Sequence, residues 1–159
     1  MVKQVLVTVG TTSFDDLILA VDNIELQLEL KRLGYTDICY QIGASALEIK
    51  NKILNTKVLR FEQDFDNVIQ RSELIISHMG AGTIIDVFRL RKKAIFVPNR
   101  KVAADHQMQL FRVMDERYRA TLDNLKDKLK TATETTGPFF NRILPPGPLN
   151  EVIEDTLSQ

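Results

Sequence analysis

Five short apolar runs are each closed by a glycine, a proline or a polar residue, and three of the four gaps between them carry helical spacing. The runs are Val5–Val9, Asp37–Gln41, Val58–Phe61, Leu74–Ser77 and Ala94–Val97. Gly10 follows the first, Gly43 the second and Pro98 the last. Runs of four or five residues are too short for buried helices and suit strands covered on both faces. Strands that alternate with helices build a parallel sheet. Right-handed crossovers place the helices on both sides of it. The expected fold is therefore α/β, a Rossmann-like doubly wound parallel sheet.

The intervening segments carry helix signals. Ser13 precedes Asp15 and Asp16 at a capping spacing, and Leu17, Val21, Ile24 and Leu28 follow at helical intervals. The pattern predicts one helix running to about Leu33, stopped by Gly34. Residues 44–56 read as a weak helix or loop. Further helices are expected over Phe65–Arg71, Thr83–Leu90 and Asp105–Arg117, with an edge strand at Arg119–Leu122. Residues 131–148 hold Gly137, Pro138, Pro145, Pro146, Gly147 and Pro148 and read as a linker. Leu149, Val152, Ile153 and Leu157 then form one face of a short amphipathic helix, which packs on the chain's own core or on a partner. The division expected is a nucleotide-binding domain over 1–130 and a linker plus helix over 131–159.

Composition removes several classes of function. The chain has 159 residues, enough for one domain with a substantial core. Lys+Arg and Asp+Glu both number 21, so the composition gives no hint of a nucleic-acid footprint. Met-Val-Lys-Gln leads directly into the first strand, so no leader peptide is expected. No apolar stretch approaches the roughly 18 residues of a membrane span. One cysteine, Cys39, excludes an intrachain disulfide and suits a reducing, cytoplasmic setting. Two histidines and no Cys/His cluster predict no metal site.

In a parallel sheet, ligands bind beyond the carboxyl ends of the strands. Two loops there stand out. Gly10, Thr11 and Thr12 precede the first helix and read either as an anion-binding turn or as a plain helix cap. Ser77, His78, Met79, Gly80, Ala81, Gly82 and Thr83 join the fourth strand to its helix. Its small residues leave the helix start bare, as a diphosphate requires. It is neither a Walker loop nor a G-x-G-x-x-G fingerprint, because Ile85 stands at the last position. Asp86, one turn on, is either a ribose ligand or a solvent-facing acid. Asp105, His106 and Gln107 open the next helix, and could bond sugar hydroxyls or merely cap it. No base–nucleophile pair is evident, so the catalytic residue stays unassigned.

Five segments together carry a family resemblance: VLVTVGTTSFDDLI (5–18), QIG (41–43), ISHMGAGTIID (76–86), KKAIFVPN (92–99) and DHQMQL (105–110). They resemble the soluble catalytic subunit of the two-subunit UDP-N-acetylglucosamine transferase of dolichol-linked oligosaccharide synthesis. That is a glycosyltransferase family 28 C-terminal domain, similar to the C-terminal half of MurG. The resemblance covers residues 2 to about 115. It implies one half of a B-type glycosyltransferase, binding UDP-GlcNAc as donor without a metal or other cofactor. It implies inverting transfer of GlcNAc to GlcNAc-diphospho-dolichol at the cytosolic face of the endoplasmic reticulum. A membrane-anchored partner subunit would bind the lipid-diphosphate acceptor. Gly80, Ala81, Gly82 and Thr83 match the diphosphate loop. Asp86 falls where relatives hold the ribose with Glu, His106 and Gln107 where they contact the hexosamine, and Gly10 and Thr11 in the loop facing the interdomain cleft. The alternative is a non-enzymatic nucleotide-sugar-binding or regulatory module of the same fold. An unrelated flavodoxin-like or dinucleotide-binding protein is disfavoured by the missing G-x-G-x-x-G.

Overall fold

The computed structural model describes residues 1–101, 106–134 and 148–157. Five strands form one all-parallel sheet: β1 (Gln4–Thr8), β2 (Asp37–Gln41), β3 (Asn55–Leu59), β4 (Leu74–His78) and β5 (Lys93–Val97). Their order is β3-β2-β1-β4-β5. The chain winds outward from β1 to β3, then returns to β4 on the other side of β1. That reversal leaves a crevice between the carboxyl ends of β1 and β4. The fold is Rossmann-like, as the alternation of runs and helices predicts.

Successive side chains of a strand point to opposite faces, and both faces here are covered. Val5 and Val7 face α1 (Asp15–Val21), α2 (Ile24–Arg32) and α6 (Leu125–Glu134). Leu6 and Ile75 face the opposite layer of α3 (Phe65–Gln70), α4 (Ala81–Arg89) and α5 (His106–Val113). Phe88 of α4 meets Phe96 and Tyr118 edge-on, at 5.8 and 5.7 Å between ring centres.

The long first helix expected from sequence is two helices. Asn23 accepts a hydrogen bond from the Leu26 amide and caps α2, while the Asp22 carboxylate accepts from the Lys50 and Asn51 amides. The break frees Asp22 to anchor the loop that carries the chain from β2 to β3. That loop holds no helix. Gln27 holds its far end, accepting from the Ile53 amide and donating to the Asn51 carbonyl. The edge strand β3 starts earlier than Val58, because its pairing with β2 runs from Asn55 to Leu59. The strand expected at Arg119–Leu122 is a single bridge between Arg119 and Phe96, preceded by a 3₁₀ turn over Glu116–Tyr118. Helix α4 begins two residues before Thr83, at Ala81.

Two helices lie toward the C-terminus. Helix α6 was not evident from sequence. Leu125, Leu129 and Ala132 bury its inner face, and Lys93 Nζ donates to the Thr133 carbonyl at its last turn. The final helix, α7 (Pro148–Leu157), packs on α4 and α5 and buries Ile153 completely. Of the two readings of this helix, docking on the chain's own core is the one observed. The stretch 135–147 of the expected linker lies outside the described residues. Ile153→Ala is expected to destabilise the protein by about 2–5 kcal/mol, the range for truncating a buried Ile. Urea denaturation measures the loss, and hydrogen exchange should rise first along 151–157.

Candidate functional site

Strand β1 ends in a turn that only glycine favours. Gly10 has φ +69°, in the left-handed region. Its N–H donates inward to Gln41 Oε1 (3.1 Å) and Thr8 Oγ1 (3.3 Å), and its carbonyl accepts from Gln41 Nε2 (2.9 Å). The Gly10 amide is thus occupied and faces the protein. What Gly10 contributes to its surroundings is the absence of a side chain: a Cβ there would lie 2.8 Å from the imidazole of His78.

His78 ends β4, and its ring lies between two glycines. A Cβ on Gly80 would also collide with the imidazole. Ser77 Oγ sits 3.2 Å from Nδ1. The residue is only 9% exposed. Burial pushes its pKa down to about 4, opposed by a hydrogen bond to the Thr8 backbone. The ring is therefore neutral at physiological pH.

Gly80 is the N-cap of α4, extended at φ −93° and ψ 129°, with no side chain capping the helix. The first intrahelical bond runs from the Ile84 amide to the Gly80 carbonyl (3.0 Å). The amides of Ala81, Gly82 and Thr83 precede it and have no acceptor among the described residues. A Cβ on Gly82 would meet nothing within 4 Å. The helix start is open, with the positive end of its dipole directed outward.

These groups line one cleft of about 440 Å³. Gly10, Thr11, His78, Gly80, Gly82, Thr83 and Asp86 all border it. Ala81 is buried against the core and does not line the cleft. Thr12 borders a neighbouring depression with Ser13, Asn99 and Lys101, and its hydroxyl donates to the Val9 carbonyl. His106 and Gln107 open α5 beyond β5 and do not line this cleft. Gln107 Oε1 instead accepts from the Asn99 amide (2.8 Å) and holds the loop after β5. Asp105 lies outside the described residues. The Asp86 carboxylate meets Arg89 at 3.3 Å, and the same guanidinium pairs with Asp66 at 2.8 Å.

The structure adds four lining residues to those expected: Gln41, Phe61, Glu62 and Phe65. Phe61 is 61% exposed, unusual for a large aromatic side chain. Glu62 and Asp86 are carboxylates, and no Lys or Arg lines the cleft among the described residues. The signal for these four was their position at the end of β2 and along the segment from β3 to the start of α3, where the carboxyl-end rule applies to every strand.

A doubly wound parallel sheet with an open helix start at its switch point defines a Rossmann-like domain of the kind found in B-type glycosyltransferases. The chain belongs to the glycosyltransferase family 28 C-terminal domain family, whose model matches residues 4–111. Human UDP-N-acetylglucosamine transferase subunit ALG13 is 35% identical over 111 residues, which cover 68% of this chain. The chain spans only 10% of the length of that relative and of its mouse counterpart. The protein of the same name from Yarrowia lipolytica is 27% identical, over 97% of this chain and 84% of its own. Among solved structures, the NMR structure of ALG13 superposes with a TM-score of 0.66 at 23% identity, covering 98% of this chain and 95% of its own. Acinetobacter baumannii MurG follows at 0.62 and 18%, with this chain matching 53% of it. At these identities the two structures speak for the fold.

The buried imidazole gives a pH signature. Its pKa is lower in the folded chain than its unfolded value of 6.5. The unfolded state therefore binds more protons between those values, and stability is full above pH 6.5 and falls as pH drops toward 4. The loss between pH 6.5 and 5 is expected to be about 2 kcal/mol. Urea midpoints over that interval check it: the slope should flatten in His78→Asn, and a slope unchanged by the substitution would contradict the assignment.

Proposed function

We propose that this chain is the donor-binding catalytic part of an inverting UDP-GlcNAc transferase. It adds GlcNAc to GlcNAc-diphospho-dolichol, at the cytosolic face of the endoplasmic reticulum, together with a membrane-anchored subunit that binds the acceptor. The observation that carries the reading is the set of unpartnered amides at the start of α4, where Gly82 and Thr83 border the cleft at the switch point. The family and the names of the relatives support the choice of donor.

In the transfer, an acceptor hydroxyl oxygen attacks the anomeric carbon from the face opposite the diphosphate. The new C–O bond forms as the bond to the phosphate oxygen breaks, and UDP leaves with the electron pair. The hydroxyl proton passes to a base, which this reading assigns to the partner's half. Negative charge grows on the diphosphate as it leaves. The α4 dipole, equivalent to about half a positive charge, faces it in this reading together with the three amides and the Thr83 hydroxyl. No Lys, Arg or protonated His assists from the described lining. The exposed ring of Phe61 offers a face on which a planar base can stack. Asp86 lies one turn along α4, where its carboxylate can accept from ribose hydroxyls.

No helix among the described residues is long and apolar enough to cross a membrane. In the proposed complex, membrane attachment belongs to the partner subunit.

Gly82→Val tests the amide assignment cleanly, because the new side chain enters open space within the chain. UDP affinity should fall tenfold or more, about 1.4 kcal/mol, with the thermal midpoint nearly unchanged. Calorimetric titration checks this, and undiminished affinity would defeat it. The chain alone should transfer no GlcNAc to a lipid-diphosphate acceptor, while co-expression with a membrane subunit should restore transfer. UDP-GlcNAc binding without transfer in the assembled complex would favour a non-enzymatic module.

A further inference from the structure

Gln41 is the last residue of β2, and its side chain is 4% exposed at the floor of the cleft. A buried primary amide has two acceptor sites and two donors to satisfy. All are engaged here. Oε1 accepts from the Thr8 hydroxyl and the Gly10 amide. Nε2 donates to the Gly10 carbonyl (2.9 Å) and to the Arg60 carbonyl (2.6 Å). The partners fix which end is which, since two carbonyls face the nitrogen and two donors face the oxygen.

The two carbonyls belong to segments that follow different strands, β1 and β3, and lead into different parts of the cleft lining. Gly10 lies in the loop after β1 and abuts His78, which in turn abuts Gly80 at the start of α4. Arg60 immediately precedes Phe61 and Glu62, which line the cleft. One side chain thus ties the segment that leads to the open amides to the segment that carries the exposed aromatic ring.

We infer that Gln41 is a positioning residue that sets the width of the donor cleft, holding the Gly10 and Phe61 segments at the separation a nucleoside diphosphate requires. The inference rests on the donor reading above. It assigns Gln41 no contact with the reacting atoms.

Gln41→Glu keeps the shape and replaces the donor by an acceptor, so two carbonyls then face a carboxylate. Gln41→Met keeps the volume without polar groups and serves if the Glu variant does not fold. The control is Gln27→Glu, which disrupts a second buried amide network that does not border the cleft. The assay is GlcNAc transfer by the co-expressed complex, with thermal midpoints measured for each variant. Wild-type complex that transfers nothing from UDP-GlcNAc refutes the donor reading itself and is distinct from the outcomes that follow. The expected result is a KM for UDP-GlcNAc raised about tenfold or more in the Gln41 variants, since displacement of order 1 Å can cost up to a hundredfold. The Gln27 variant, matched for loss of thermal midpoint, should keep the wild-type KM. A wild-type KM in a folded Gln41 variant, or an equal rise in the Gln27 control, would overturn the positioning role.

Discussion

The site depends on one imidazole packed between two glycines. His78 occupies the space that Gly10 and Gly80 leave free, and either glycine would collide with it if given a Cβ. This contact joins the loop after β1 to the start of α4 across the crevice where the sheet reverses direction. Because the ring is neutral, it fills space and hydrogen-bonds without placing a charge beside the helix start. The left-handed turn at Gly10 also directs that residue's amide inward, toward Gln41 and Thr8. The amides at the start of α4 are left without an acceptor among the described residues.

That division of labour bears on the electrostatics of a leaving diphosphate. Two carboxylates, Glu62 and Asp86, border the cleft, and Arg89 is already shared between Asp86 and Asp66. The favourable field at the site comes from backbone dipoles fixed by the fold, which need no reorganisation when charge develops. Such a source is permanent but modest. Under the proposed function it suits a domain that forms only one side of a reaction centre and meets the acceptor across a cleft. Helix α7, seated on α4 and α5, braces the same layer of helices from behind.

Much of this was legible in the sequence because the relevant signals are local. Apolar runs that stop at Gly10, Gly43 and Pro98 mark strand ends, and Gly80-Ala81-Gly82 marks a bare helix start by its lack of side chains. The roles of Gln41 and Gln27 were not legible. A buried amide bonds to groups distant in sequence, and nothing local separates it from a solvent-facing one. The break at Asp22-Asn23 escaped notice for a similar reason, since the apolar spacing continues through it while the cause, the loop amides at 50 and 51, lies elsewhere. Helix α6 was hidden by the threonines of its last turn and the Pro/Gly-rich stretch that follows. The placement of Gln107 rests on its hydrogen bond with the Asn99 amide, which spacing alone does not specify.

The central claim is that the α4 amides receive a diphosphate. The most direct measurement is an NMR titration of the ¹⁵N-labelled chain with UDP and, separately, with uridine. The account predicts that the amides of Ala81, Gly82 and Thr83 shift strongly with UDP and little with uridine, while residues near Phe61 respond to both. Equal responses at those three amides, or UDP shifts confined to another surface, would contradict it.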